Sequence, residues 1–324
     1  MRPLVRALAS AFAVAFALLP AVAQAQAWPQ KSIRFIIPYP PGGGTDALAR
    51  FLSQKLGENL GQSVVIDNKP GGATIIGTEI AAKAPADGYT ILLASPSFTN
   101  NVALYPNKLP YDPEKDFDAV TLVASVPLVL VSSPSLPANN VRELIALAKT
   151  KPGAMSYAMA TGSTPHLAGE MLKVMGGIEV LPVPYKGMAP AYPDLLTGRI
   201  DYMFDAVSTG LPNIQAGKTK ALGVSSPKRS QAAPDIPTMS ESGLPGFEAE
   251  GWYGIVVPKG TPPDIVAKLN AETLKALADP ATAKSIQGAG FDIIGKGPAE
   301  FAAYMKSEQA RWAKLIKQAN IKAE

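Results

Sequence analysis

The sequence predicts an α/β fold of two lobes, the second inserted into the first. Three observations predict it. Strand-like apolar runs alternate with helical patterns along the chain, which argues for parallel sheets covered on both faces. A proline- and serine-rich segment, Pro227 to Gly246, precedes one more apolar run at Gly251–Val257, placed to rejoin the first lobe. Two loops of like design, one early and one midway, each carry the chain from a strand into a helix start.

Taken in order, Ser32 to Ile37 reads as a strand and Asp46 to Leu60 as a helix. Between them Pro40-Pro41-Gly42-Gly43-Gly44-Thr45-Asp46 is a loop nearly bare of side chains, with Thr45 or Asp46 as the helix cap. Such a loop brings backbone N–H groups close to a ligand, and a helix start favours an anion. It also suits a tight turn with no ligand, and its own chemistry leaves both open. Ser63–Asp67 is a strand, Thr74 to Ala84 a helix, and Tyr89–Ala94 a buried strand. The loop 68–73 between the first two reads as a plain helix-entry turn, and residues 95–98 as a further loop. Ligands in open α/β sheets sit beyond the carboxyl ends of the strands, where these loops fall.

Asp118 to Leu122 and Leu128–Val131 are strands, and Ala124–Pro127 is read as the crossing into the second lobe. Val141 to Lys149 is a helix capped by Asn139 or Asn140. Met155–Met159 is a strand ending in Thr161-Gly162-Ser163-Thr164-Pro165-His166, before a helix over Leu167 to Met175. Pro165 suits the first helical turn and Ser163 or Thr164 the cap. Glu179–Pro184 is a strand leading to Tyr185-Lys186-Gly187; Lys186 suits either a charged contact or an exposed turn. Ala191–Thr197 is a short helix, and Ile200–Asp205 and Ala221–Ser225 are strands. The helices Pro262–Leu277 and Pro298–Gln318 close the chain, each with an apolar stripe at helical spacing. The predicted lobes are 28–124 with 250–324, and 125–249.

The first 25 residues read as a signal peptide. Arg2 and Arg6 form the basic region, Ala7 to Leu19 the apolar run, and Ala21, Ala23, Ala25 and Ala27 the small residues, with cleavage expected after Ala25. The 324-residue chain has no cysteine, which excludes disulfides and a lipid-modified cysteine at the N-terminus. Net charge is +4, with two of the positive charges on Arg2 and Arg6, so nothing proposes nucleic acid as a partner. One histidine, His166, and no cysteine leave no basis for a zinc site. G-x-S-x-G, G-x-x-x-x-G-K-[ST] and G-x-G-x-x-G are all missing, so no cofactor or metal is expected. Ser163, His166 and Asp205 are the one set that could suggest a hydrolase. That reading needs a base within reach of the nucleophile and a third group to orient the base.

Several stretches together resemble the tripartite tricarboxylate transporter solute receptors, or Bug receptors. They are Pro40–Asp46, Asn68–Ala73, Ala86–Thr90, Tyr111-Asp112-Pro113 with Asp116-Phe117, His166-Leu167-Ala168 with Glu170, Pro184–Gly187 and Trp252-Tyr253-Gly254. The resemblance implies a type II periplasmic binding protein architecture, two α/β lobes closing on a ligand cleft, and no enzyme activity. It implies a soluble, monomeric periplasmic protein that takes a small carboxylate, such as a dicarboxylate or an aromatic acid, to a tripartite tricarboxylate-type membrane transporter. A receptor presenting its ligand to a sensor kinase would have the same cleft. By position, the implied ligand-binding residues are Tyr39, Gly43, Thr45, Asp46, Ser95 and Ser97 in the first lobe. In the second they are Ser163, Thr164, His166, Tyr185 and Asp205.

Overall fold

The structure is a computed structural model that describes residues 28–318 and 321, except 107, 161 and 186. The signal-peptide reading and Lys186 therefore lie outside the described residues. Among the described residues eleven strands form two mixed sheets.

The first sheet has six strands. These are β1 (Ile33–Ile37), β2 (Val64–Asn68), β3 (Thr90–Ala94), β4 (Phe117–Val126), β10 (Gly251–Pro258) and β11 (Asp292–Lys296), in the order β11-β4-β10-β3-β1-β2. β1 is parallel to β2 and to β3. β10 runs antiparallel to both β3 and β4. The sheet is thus mixed rather than all parallel, because the chain returns from the second sheet through the opposite end. Alternation along β1 sends Ile33, Phe35 and Ile37 to one face and Ile36 to the other. The first face packs on α1 (Gly44–Leu60), α8 (Pro263–Ala278) and α9 (Pro280–Gly288) through Leu48, Leu52, Leu269 and Ile286. The other packs on α2 (Ile75–Ala82), α3 (Pro96–Leu104) and the last helix, α10 (Pro298–Gln318), through Ala81, Phe98 and Phe301.

The second sheet contains β5 (Leu128–Ser132), β6 (Ser156–Met159), β7 (Leu181–Pro184), β8 (Tyr202–Ala206) and β9 (Lys220–Val224), ordered β7-β6-β8-β5-β9. Its strand β5 is antiparallel to β8 and β9. One face buries Leu130, Tyr157 and Phe204 against α4 (Val141–Thr150) and α5 (Thr164–Gly176). The other buries Val129, Val131 and Met203 against α6 (Tyr192–Leu196) and α7 (Val207–Gln215).

Some elements depart from expectation. β4 continues to Val126, so Pro127 alone separates it from β5, where a four-residue crossing was expected. Residues 95–98 are the start of α3, not a loop: Ser95 is its cap and Pro96 occupies the first turn, where a missing N–H costs nothing. The helices α7 and α9 and the strand β11 had no counterpart in the reading of the sequence. Asn140 does cap α4, accepting from the Glu143 N–H.

The chain passes between the sheets at Pro127 and again between β9 and β10. The helix α10 makes a further link. Its Phe301 and Met305 belong to the core of the first sheet, while its Trp312, Leu315 and Ile316 belong to that of the second. Trp312 is fully buried, and its indole N–H donates to Glu308 at 2.9 Å. Replacing Trp312 by Ala should destabilise the protein by ~3–5 kcal/mol through the cavity it leaves. Urea unfolding of the variant beside the parent would read this as a lowered midpoint.

Candidate functional site

A cavity of about 410 Å³ opens between loops of the two sheets. Four stretches make its wall: Pro38–Pro40 ahead of α1, residues 70–74 ahead of α2, Ser97 to Tyr105 along α3, and Gly162-Ser163 ahead of α5. Among the described residues none with a charged side chain lines it. Its polarity comes from hydroxyls, the Asn101 amide and the starts of helices, whose first N–H groups have no partner within the helix.

The opening glycine loop is shaped by one carboxylate. The helix α1 begins at Gly44, two residues earlier than expected, so Gly43 is the cap and neither Thr45 nor Asp46 fills that role. Asp46 instead falls in the first turn and reaches backwards. It accepts from the Gly42 N–H at 3.1 Å, from Arg50 Nε at 2.7 Å and from Asn68 Nδ2 at 3.0 Å. Asn68 also donates to the Tyr39 carbonyl. Gly42 has φ +88°, a conformation that any L side chain would strain. Asp46 is buried, and the Arg50 guanidinium, with Asn68 and Gly42, holds its carboxyl at about 2. It is therefore a brace for the loop.

Tyr39 projects from this loop into the cavity wall, its hydroxyl 2.8 Å from Ser95 Oγ. Burial raises the pKa of that phenol, and it stays protonated as a hydrogen-bonding group. Ser97 lies in the first turn of α3, also on the wall. Thr45 is turned away: its hydroxyl donates to the Tyr253 hydroxyl at 3.1 Å.

On the second sheet, Ser163 is on the wall and caps α5, accepting from the His166 N–H at 3.4 Å. His166 reciprocates: its Nδ1 accepts from the Gly162 N–H at 3.1 Å. Burial lowers the His166 pKa, so the ring is neutral and carries its proton on Nε2. Thr164 is the first residue of α5. Tyr185 gives its hydroxyl to Asp194 at 2.7 Å, which together with burial pushes its pKa up to about 12. Asp205 ends β8, buried, accepting from the Tyr192 hydroxyl at 2.7 Å and from the Ala206 N–H at 2.8 Å. Burial raises its pKa. Ser163, His166 and Asp205 thus form no relay. Ser163 is engaged by a backbone N–H, and Asp205 is held by Tyr192.

Of the eleven residues implied by the resemblance, the cavity brings together Tyr39, Ser97 and Ser163. Ser95 and His166 support them from behind. Gly43, Thr45, Asp46, Thr164, Tyr185 and Asp205 are not among the lining residues. The wall also contains Gly71 and Ala73, from the loop 68–73 read as a plain turn, and Thr74 and Asn101, which the sequence reading did not place at the site. The signal was available in Gly71-Gly72: both take positive φ, and so do Ala73 (51°) and Thr74 (77°). Positive φ at the non-glycine residues Ala73 and Thr74 is costly and is a common mark of a functional loop.

Residues 48–321 match the family described as "Tripartite tricarboxylate transporter family receptor". The chain belongs to that family. This receptor is 42% identical over 299 residues to the "UPF0065 protein in tcbD-tcbE intergenic region" of Pseudomonas sp. (strain P51), covering 92% of this chain and 89% of that one. It is 36% identical over 312 residues to protein BugT of Bordetella pertussis, covering 95% of each. Among solved structures, R. palustris Rpa4515 with adipate is 36% identical, with TM-score 0.78, over 91% of this chain and 99% of that one. MatC of Rhodopseudomonas palustris with bound malate is 30% identical, with TM-score 0.74, over 89% and 100%. The receptors of this family bind solutes and are not enzymes. Their two-lobed periplasmic binding protein architecture is the one seen here.

The Asp46 brace has a pH signature. Its folded-state pKa is below the ordinary carboxylate value, so its stabilisation, ~2 kcal/mol, is present above about pH 4 and lost as pH falls through about 2. Asp46→Asn should lower the melting temperature at neutral pH. The gap from the parent should close between about pH 4 and 2 in a calorimetric pH series.

Proposed function

We propose that this receptor is exported to the periplasm, where it captures a small carboxylate and delivers it to membrane subunits of a tripartite tricarboxylate-type transporter. It acts as a monomer whose lobes are residues 28–124 with 250–324, and residues 125–249. Among the described residues no helix is long and apolar enough to cross a membrane. The observation that carries the reading is the cavity itself. It lies between loops of both sheets, it is walled by helix starts, and none of the described residues lining it has a charged side chain. The ligands named for the adipate- and malate-bound relatives are carboxylates, which supports the same class here.

The anion is held by backbone N–H groups and hydroxyls rather than by a cation. The first turn of α5 with Ser163, and Tyr39 with Ser97, provide the contacts from opposite walls. The N–H groups at Gly43 to Thr45 join them as the lobes close, and a ligand that binds the closed form better shifts the population toward it. Asp46, Ser95 and His166 hold these groups in place. Tyr185, Asp205 and Thr164 shape the second lobe's side of the cleft.

Gly43 offers a clean test. A Cβ built there meets nothing within 4 Å, and its φ of −85° is open to any residue, so Gly43→Val leaves the fold intact. The side chain then obstructs the approach of a ligand to the backbone. Thermal-shift screening against a carboxylate panel should single out a ligand that raises the melting temperature. Calorimetry with that acid should show binding by the parent and none by Gly43→Val. Undiminished affinity in the variant would contradict the loop's role.

A further inference from the structure

We propose that Glu250 is a proton-sensitive hinge residue: its carboxyl lies where the chain recrosses between the sheets, and gain or loss of its proton biases how the two halves sit against each other. The proposal rests on the reading that the lobes move about the cleft, and adds a regulation to that motion.

Glu250 is the single residue between two fixed frames. Before it, Ala249 belongs to the core of the second sheet, and its N–H donates to the Ser225 carbonyl at 3.1 Å. After it, Gly251 opens β10 opposite Val126. Val126 ends β4, and Pro127 alone leads from there into β5, so the two crossings run side by side. A turn of one half against the other therefore passes through the backbone of Glu250 and Pro127. The proline ring fixes φ at Pro127, which leaves Glu250 the freer of the two.

Charged groups gather at the same level. Glu308, Arg311 and the Tyr304 ring face Glu250 from α10, between that helix's anchors in the two cores. Asp292 faces it from the start of β11, and Glu248 from the incoming segment. Arg311 is already engaged: it pairs with Glu308 at 2.6 Å and donates to the Glu248 carbonyl. Asp292 takes hydrogen bonds from Ser230 and the Gln231 N–H, in the segment that leaves the second sheet. Beside it, Gln287 Nε2 donates to Gln231 Oε1 at 3.1 Å, and a Cβ built on Gly290 would lie 2.1 Å from Ser208 Cβ. These contacts define one seating of the halves, and Glu250 is half-buried in it. Among the described residues no donor reaches its carboxyl. Burial, and then the charge of Asp292, push its pKa from the ordinary 4.5 up to about 7.

This seating thus holds a proton that a solvated Glu250 releases. As pH rises from about 4.5 to about 7, the seating loses ground to an arrangement in which Glu250 reaches water; above about 7 the balance is level.

The chain has no cysteine, so Gln54→Cys on α1 and Ala146→Cys on α4 place one pair of spin labels, one label in each half. In the ligand-free protein the ratio of the two seatings, read from the label distances, should change at least about tenfold between pH 4.5 and 7 and stay level to pH 8. With Glu250→Gln, which cannot ionise, the distances should keep the parent's low-pH values throughout. Asp292→Asn should draw the upper end of the response to lower pH. A pH response that survives unchanged in Glu250→Gln would overturn the proposal. Parent distances that move with an acid from a panel of succinate, malate, adipate and benzoate, but not with pH, would overturn the hinge proton and keep the cleft reading. Distances unmoved by either would overturn both.

Discussion

The hydrogen bonds converging on Asp46 are the constraint on which the cleft depends. Gly42, Arg50 and Asn68 all donate to this one carboxylate. They tie the glycine loop to the first turns of α1 and to the end of β2, and through Asn68 to the Tyr39 carbonyl. A loop of three glycines has the largest backbone entropy to lose, and a single buried charge fixes it. The placement of Tyr39 follows from this brace, and the Tyr39–Ser95 contact carries it to the cap of α3.

The same physics explains how a cavity whose described lining residues have no charged side chain suits an anion. A lysine or arginine brings a full charge and a flexible side chain that must be ordered when it binds. A helix start brings donors already fixed by the rest of the helix. Selectivity then comes from geometry, because N–H groups and hydroxyls reward an acid group only where it fits between them. His166 contributes in the same manner. Its ring is neutral and its hydrogen bond to Gly162 closes a reciprocal pair with Ser163, so the start of α5 is fixed without adding charge.

Most of the fold was legible in the sequence because its strands are short β-branched or aromatic runs bounded by turn residues. The expected bounds of α10 agree with the structure, since Pro298 opens it and its apolar stripe runs unbroken. Other elements hid for identifiable reasons. Pro96 made the start of α3 look like a loop, although proline fits a first turn. Gly210 and Pro212 lie inside α7 and mask its pattern. The strand β11 is only partly buried, so it lacks a strong apolar signature. In the site, the two strand-to-helix loops were readable, but the roles within them were not. Whether Asp46 meets a ligand or Arg50 depends on which residue begins the helix, and that was misplaced by two positions. Tyr192, which engages Asp205, carries no motif of its own.

The last helix has a bearing on motion. Because α10 is rooted at Phe301 in one core and at Trp312 in the other, a wide gape between the sheets would tear one anchor from its packing. A twist about the helix's own length disturbs neither. If the mouth opens and closes as proposed, a rotation of one half against the other about this helix would keep both anchors seated.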